Sequence, residues 1–229
     1  MVSILMPVFN EAATVEQAVE RVRATEFPFE WELILVDDGS TDGTAGVLAD
    51  LEERDERIRL VTHDGNRGKG TAIRTALAEA RGEFSTILDA DLEYDPNDIP
   101  GLIQPLRDGL SNAVFGVRAF DGYSSHSFLY VLGNRGVTLA ANAIFNVYLK
   151  DVMTCHKAMR TELFRSLPLR EPGFAVEPEI AARLVQRRER IYETPVSYLA
   201  RPTEEGKKLT ALDGFRALRT LLRCRISPR

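Results

Sequence analysis

The stretch Phe84–Pro96, FSTILDADLEYDP, joins a short apolar run to a cluster of carboxylates. The run Phe84–Leu88 predicts a buried parallel strand, and Pro96 lacks the N–H that further strand pairing would need. Asp89 and Asp91 follow at i and i+2, so they point to the same side of the extended chain. Such carboxylates repel each other, and a hard divalent cation such as Mg²⁺ or Mn²⁺ would relieve that repulsion and also hold a diphosphate. A solvated acidic loop is the alternative that this stretch alone leaves open.

Three strand-and-helix units are expected before this stretch. The apolar runs at 2–6, 31–36 and 58–61 predict strands, the first closed by Pro7. Helical spacing of apolar residues follows each of them, at 10–24, 44–54 and 71–81. Strands that alternate with helices form parallel sheets with right-handed crossovers. We therefore expect an α/β fold, a mixed but mostly parallel sheet flanked by helices.

Ligands of open α/β sheets bind outside the carboxyl ends of the strands. Polar loops rich in Gly, Asp and Asn follow all four expected strands, at 7–11, 37–43, 65–70 and 89–95. Four polar loops at one edge of a sheet predict a binding crevice there. This convergence makes the metal interpretation of Asp89 and Asp91 stronger than the two residues do alone.

The second half of the chain is less regular. Strands are expected at 113–117 and 191–198, the latter an edge strand or a bulged one because it contains Pro195. Helices are expected at 98–108, 127–148 and 176–187, and a final amphipathic helix from near Leu209. Because no internal repeat or low-complexity linker is visible, residues 1–229 are expected to form one domain.

Composition excludes several classes of protein. The 229 residues are 44% apolar and 28% charged, which suits a single globular domain with a substantial core. Two cysteines and three histidines make a disulfide framework or a zinc site improbable, and the net charge of −5 argues against a nucleic-acid binder. No apolar run approaches the ~20 residues of a membrane span. A reduced, cytoplasmic protein is the expectation.

Three motifs, in order and spacing, resemble family 2 glycosyltransferases of the GT-A fold. They are Pro7–Glu11 (PVFNE), Val36–Thr44 (VDDGSTDGT) and Asp89–Asp91 (DAD). The segments around Phe115–Arg118 (FGVR), Glu177–Glu179 (EPE) and 201–209 (RPTEEGKKL) look like the subgroup of dolichol- and polyprenyl-phosphate sugar synthases. The chain lacks the Q-x-x-R-W motif of processive synthases.

The resemblance implies an inverting transferase that takes a nucleotide-diphosphate sugar, GDP-mannose or a UDP-hexose, and a divalent metal, Mg²⁺ or Mn²⁺. It divides the single domain into a nucleotide-sugar-binding half (1–120), an acceptor half (121–208) and a basic amphipathic C-terminal helix (209–229). The implied metal set is Asp89, Asp91 and Glu93. The implied donor site comprises Pro7, Val8, Asn10, Glu11, Asp38, Lys69, Asp89, Ala90, Arg201, Lys207 and Lys208. The implied catalytic set is Asp91, Arg118, Arg135 and Glu177.

Several of these residues have a structural alternative. Asp38 fits a nucleoside contact or a turn cap, and Lys69 lies in a Gly-rich loop that fits a phosphate contact or a plain turn. Arg118 suits an acceptor phosphate, held together with Arg135, or an ion pair with a structural acid. Cys155 and the adjacent His156 are expected to be packing residues.

The acceptor decides whether a general base is needed. A polyprenyl phosphate is already ionised near neutral pH, whereas a sugar hydroxyl needs a carboxylate, for which Asp151, Glu177 and Glu179 are candidates. A soluble hydroxyl acceptor and a non-catalytic nucleotide-sugar-binding protein stay open as alternatives.

The C-terminal helix has Leu212, Phe215, Leu218 and Leu222 on one face and Arg216, Arg219 and Arg223 on another. It suits an ordinary docked helix, a membrane-protein partner, or peripheral contact with the inner face of the plasma membrane.

Overall fold

The computed structural model describes residues 1–118, 128–199 and 211–227. The strands are β1 (Val2–Val8), β2 (Trp31–Asp37), β3 (Ile58–Thr62), β4 (Phe84–Ile87), β5 (Ala113–Arg118), β6 (Lys157–Arg160) and β7 (Ile191–Val196). The helices are α1 (Val15–Ala24), α2 (Thr44–Arg54), α3 (Lys69–Glu79), α4 (Ile99–Arg107), α5 (Phe128–Phe145), α6 (Thr161–Ser166), α7 (Val176–Gln186) and α8 (Ala211–Ile226). A short 3₁₀ turn, Pro96–Asp98, precedes α4.

The described strands form one sheet in the order β3-β2-β1-β4-β6-β5-β7. All neighbouring pairs are parallel except those of β6, which runs antiparallel to both β4 and β5. The expected mixed, mostly parallel sheet is confirmed, and β7 with its Pro195 lies at an edge as predicted. The strand β6 was not predicted, because its four residues carry a charge at each end and show no apolar alternation.

Helices cover both faces of the sheet and bury two apolar clusters. One cluster contains Ile4 and Met6 with residues of α1, α2 and α4; the other contains Leu5 with residues of α3, α5, α6, α7 and α8. Neighbouring residues of β1 are therefore fully buried on opposite faces, which explains its nearly continuous apolar sequence. The predicted apolar face of α1 is also buried.

The prediction that Pro7 ends the first strand was wrong. Pro7 pairs with Val36, and β1 continues to Val8. The N–H of Leu88 donates to the carbonyl of Leu5, so the odd-numbered residues of β1 direct their backbone polar groups toward β4. The β1–β4 ladder ends at Leu5, so the missing N–H of Pro7 breaks no ladder hydrogen bond.

The starts of α1 and α3 are among the helix boundaries that differ from the prediction. Helix α1 begins at Val15 rather than near Asn10, because residues 10–12 bind the 40–44 loop instead. Helix α3 begins two residues early, at Lys69. In the parts of the chain that the structure describes, no helix combines the length and the hydropathy that crossing a bilayer requires.

Candidate active site

A cavity of about 440 Å³ opens at the carboxyl ends of β1, β2 and β4. As predicted, all four polar loops contribute to its lining. These loops supply Pro7, Val8, Phe9, Glu11, Asp38, Asn66, Gly68, Lys69, Asp89, Ala90, Asp91, Glu93 and Tyr94. The second half of the chain closes the cavity with Arg118, Met153, Cys155, Gly173, Phe174, Glu177 and Tyr198.

The charged form of Asp91 is disfavoured in the cavity. Burial, and after it the negative charges of Asp89 and Glu93, raise its pKa to about 7. The Glu93 N–H donates to Asp91 Oδ1 at 3.1 Å. A carboxylate disfavoured by burial and by like charges suits a divalent cation, which adds the missing positive charge.

The three expected metal ligands do not form one three-carboxylate group. Asp89 Oδ2 lies 2.7 Å from the ammonium of Lys69, and Glu93 Oε2 accepts a hydrogen bond from the Tyr198 hydroxyl at 2.8 Å. Within residues 1–118, 128–199 and 211–227, no three Asp, Glu, His or Cys side chains are grouped as metal ligands. Asp91 remains a fitting ligand, because Mg²⁺ is commonly held by one or two carboxylates together with substrate phosphates.

Lys69 is buried and joins two acids. Its Nζ lies 2.7 Å from Asp89 Oδ2 and 3.1 Å from Glu177 Oε1, and 5.8 Å from the centre of the Phe174 ring. Burial lowers the pKa of Lys69, but Asp89, Cys155 and Glu177 raise it by more, so the pKa lies well above its ordinary value. Lys69 therefore stays charged and supplies a fixed positive charge beside the DAD motif.

Glu177 is buried between Lys69 and Lys157, and the sequence analysis did not identify Lys157 as a site residue. Lys157 is completely buried in β6, and its Nζ lies 2.7 Å from Glu177 Oε2. The same ammonium donates to the carbonyls of Val152 and Thr154. No sequence pattern marks Lys157 as a site residue, because its partner lies on α7. Its position links β6, α7 and the DAD motif in one charge network.

Asp38 organises the loop that follows β3. Both of its carboxylate oxygens accept backbone hydrogen bonds, from Arg67 N at 2.9 Å and Gly68 N at 2.7 Å. His63, a second residue that the sequence analysis missed, binds Asp38 Oδ1 through Nδ1 at 2.7 Å. Asp37 instead caps its own turn by accepting from Ser40 N. Asp38 thus lines the cavity while its carboxylate also fixes residues 66–68.

The glycines of that loop serve packing against the chain around Pro172. Gly68 has a φ of 89°, and a Cβ there would lie 2.5 Å from the Pro172 carbonyl oxygen. A Cβ on Gly70 would collide with the Glu171 carbonyl oxygen. Close approach between protein segments therefore explains these two glycines without a phosphate.

Arg118 lines the cavity and forms a two-pronged ion pair. Its Nε and Nη2 lie 2.7 and 2.9 Å from the two carboxylate oxygens of Asp151, and its guanidinium lies 5.1 Å from the Tyr198 ring centre. Arg135 is exposed on α5 and does not line the cavity. Of the two arginines that were expected to share an acceptor phosphate, Arg118 lines the cavity and Arg135 does not.

The remaining predicted residues divide into three groups. Pro7, Val8, Glu11 and Ala90 line the cavity. Asn10 does not line it; its side chain accepts a hydrogen bond from Thr41 N and so ties the first loop to the second. Arg201, Lys207 and Lys208 lie outside the described residues.

His156 is buried as a packing residue, as expected, whereas Cys155 also lines the cavity. Burial raises the pKa of the Cys155 thiol well above its usual value and lowers the pKa of His156 to about 4. The His156 ring contacts Tyr94 edge to face at 5.1 Å. Both groups are therefore neutral near pH 7, which does not suit a thiolate–imidazolium nucleophile.

Solved structures with the same fold support the GT-A assignment. Glucosyl-3-phosphoglycerate synthase from Mycobacterium tuberculosis, crystallised with Mn²⁺, uridine diphosphate and glucosyl-3-phosphoglycerate, matches with a TM-score of 0.76. The match covers 100% of this chain and 81% of that protein at 23% identity. At this identity, the likeness concerns the fold alone.

Curated relatives include enzymes named for polyprenyl phosphates. Glycosyltransferase AglJ of Haloferax volcanii is 29% identical over 88% of this chain and 64% of its own length. Dodecaprenyl-phosphate galacturonate synthase of Rhizobium johnstonii is 40% identical over 45% of this chain. Undecaprenyl-phosphate 4-deoxy-4-formamido-L-arabinose transferase of Pseudomonas fluorescens is 37% identical over 45%. The matches span about a third of the length of the last two relatives.

The family model for glycosyl transferase family 2 matches residues 3–167. That range includes the motifs at Pro7–Glu11, Val36–Thr44 and Asp89–Asp91, and it covers well over half of the sequence. The resemblance expected from the sequence is therefore confirmed, and the chain belongs to glycosyl transferase family 2.

Proposed function

We propose that this chain is an inverting glycosyltransferase that moves a sugar from a nucleoside-diphosphate donor to the phosphate of a polyprenyl lipid. The main observation in favour of a phosphate acceptor is that the candidate general bases are ion-paired within the protein. Glu177 is held by Lys69 and Lys157, and Asp151 by both prongs of Arg118. The carboxylate oxygens of both candidates are therefore engaged by cations of the protein itself.

The third candidate base is also paired with groups of the protein. Glu179 is completely buried, accepts the N–H groups of Arg170 and Glu171, and pairs with Arg223. A hydroxyl acceptor needs a base, whereas a phosphate monoester with a second pKa near 6 is already a nucleophile. The names of the polyprenyl-phosphate relatives support the same acceptor.

On the donor side, Asp91 is the residue that fits a divalent cation. Such a cation, when bound, neutralises charge on the leaving diphosphate. Lys69 lines the same cavity with a permanent positive charge and holds Asp89 in place. Pro7, Val8 and Asp38, with the loop that Asp38 fixes, are proposed to bind the nucleoside.

Transfer to lipid is tested by phase extraction. The full chain is incubated with radiolabelled UDP- or GDP-sugars, Mn²⁺ and undecaprenyl phosphate, and label is counted in both phases. We expect label in the organic phase that depends on added lipid phosphate, because an ionised acceptor needs no base from the protein. Polyprenol without the phosphate is the matched control and should give none.

Two outcomes would contradict the lipid acceptor. Label transferred to a soluble hydroxyl compound, with none in the organic phase, would favour a soluble acceptor. Calorimetric binding of the nucleotide sugar without transfer to any acceptor tested would favour a nucleotide-sugar-binding protein.

The orientation of α8 supports a membrane contact, one of the alternatives that the sequence left open. Of the expected apolar face, Leu218 is half-buried against the core, whereas Leu212, Phe215 and Leu222 are exposed. The helix docks through Ala217, Thr220, Leu221 and Cys224, while Leu212, Phe215, Leu222 and Ile226 are 57–87% exposed. We call these four exposed residues the outer apolar face.

The outer apolar face is flanked by positive charge. Arg216, Arg219 and Arg225 are exposed on the same helix, and its Asp213 is paired with Arg216. Apolar side chains beside arginines suit the boundary between acyl chains and anionic headgroups, where each basic residue contributes about 1 kcal/mol. We propose that α8 rests on the cytoplasmic membrane surface from which the lipid acceptor is taken.

Phe215→Ser is expected to weaken sedimentation of the protein with vesicles of phosphatidylglycerol and phosphatidylcholine, because it removes an exposed aromatic ring from the outer apolar face. The wild-type interaction should also weaken as salt is raised. Leu110→Ser is the matched control, since Leu110 is 64% exposed but lies outside α8. Equal binding by the wild type and the Phe215 variant would contradict the membrane contact.

A further inference from the structure

The wall of the cavity formed by residues 170–174 lies between two helices. On one side it packs against the start of α3, where Thr71 N donates to the Pro172 carbonyl and Arg74 Nη1 to the Glu171 carbonyl at 2.8 Å. Gly173 and Phe174 of this segment line the cavity. Its position therefore helps to set the shape of the donor site.

On the other side, the segment is held by α8. Arg223 Nη2 lies 2.7 Å from Glu171 Oε1 and 2.9 Å from Glu179 Oε1. The Thr220 hydroxyl donates to the same oxygen of Glu171 at 2.8 Å. The other carboxylate oxygen of Glu179 accepts the N–H groups of Arg170 and Glu171. One guanidinium thus neutralises two acids that fix the backbone at 170–171.

We infer that Arg223 and Thr220 are positioning residues for the donor cavity, which they shape through Glu171 and Glu179 without lining it. The inference rests on the proposed donor site. It adds a role for α8, which lies beyond residues 3–167, the range matched by the family model. Without Arg223, Glu171 and the buried Glu179 face each other as like charges. The 170–174 segment then loses its fixed distance from α3, and Gly173 and Phe174 leave the cavity wall.

The test uses the full chain and compares Arg223→Met with Arg219→Met. Arg219 lies one helical turn away, is exposed, and contacts neither acid in the structure. Titration calorimetry with UDP or GDP and Mn²⁺ should show affinity about tenfold lower for the Arg223 variant, a usual size for coupling between positions. The Arg219 variant should stay within about twofold of the wild type.

A second readout separates positioning from general stability. Hydrogen exchange should rise at the amides of residues 170, 171, 173 and 174 in the Arg223 variant and stay unchanged in β1, since a local opening does not expose the sheet. Arg223→Lys should recover part of the affinity, because an ammonium keeps the charge but lacks the fork that reaches two carboxylates. Thr220→Val, which leaves no buried charge, should give the same local pattern with a smaller effect.

Faster exchange throughout the protein with unchanged nucleotide affinity would show that Arg223 only stabilises the fold. Equal losses for Arg219→Met and Arg223→Met would assign the effect to net charge. If the wild type binds neither nucleotide, the donor-site proposal fails by itself. In that case, unchanged exchange at 170–174 in the Arg223 variant would overturn the positioning role, and increased exchange there would retain it.

Discussion

Replacing Asp91 with asparagine is expected to abolish sugar transfer and, at the same time, to make the folded protein more stable. Transfer should fall about 10³-fold, because charge stabilisation by a metal is worth several kcal/mol and each 1.4 kcal/mol is tenfold in rate. Stability should rise because burial, and after it the charges of Asp89 and Glu93, disfavour the charged form of Asp91 and raise its pKa to about 7. Removing one of three clustered charges relieves that repulsion.

The two effects are measured separately. Initial rates of transfer are compared at saturating Mn²⁺, and EDTA should reduce the wild-type rate to the level of the variant. Thermal unfolding in EDTA should show a Tm about 3 °C higher for Asp91→Asn, a shift typical of about 1 kcal/mol in a chain of this size. Asp50→Asn, on the exposed side of α2, is the charge-matched control and should change neither quantity. A variant that retains a tenth of the wild-type rate would contradict the metal role.

Replacing Lys157 with methionine should lower the free energy of unfolding by about 3–5 kcal/mol, the usual cost of removing one partner from a buried ion pair. The ammonium of Lys157 is completely buried and lies 2.7 Å from Glu177. Its loss leaves a buried carboxylate with Lys69 alone, and Lys69 already binds Asp89. Urea unfolding monitored by circular dichroism measures the change.

A double variant shows whether the loss comes from the unpaired charge. Lys157→Met combined with Glu177→Gln removes both charges and should recover a large part of the stability, because a buried pair is costly to break but contributes little net stability. Lys150→Met removes an exposed lysine nearby and should cost less than about 0.5 kcal/mol. A loss below about 1 kcal/mol for Lys157→Met would show that the charge network is weak.

The parts of the fold that sequence could predict are those encoded locally. Strands β1 and β2 are mostly apolar runs, and helices α1 and α2 show helical spacing after turn-forming loops. The polar loops between them are at the same edge of the sheet by topology alone. The crevice and its four polar loops could therefore be predicted from the sequence alone.

What the sequence could not provide are contacts between distant residues. Lys157 and Glu177 lie on different elements, His63 and Asp38 lie in different loops, and nothing in the local pattern pairs them. Arg118 showed the same limit, because its partner Asp151 is 33 residues away. The sequence also did not show which face of α8 docks, since Ala217 and Thr220 lie on that face beside Leu221 and Cys224. The hydrophobic pattern of the sequence favours burial of the face with the larger apolar residues. The fit of the side chains against the core decides which face is buried.

The position of β6 has a consequence for the order in which the strands of the sheet can pair during synthesis. Strands β4 and β5 are consecutive along the chain, yet β6 lies between them, and among the described strands the partners of β5 are β6 and β7. As the chain leaves the ribosome, β3-β2-β1-β4 can assemble first, with β4 as an open edge. That edge stays unpaired until residue 160 has been synthesised, so the nascent chain passes through a stage exposed to aggregation and to chaperones.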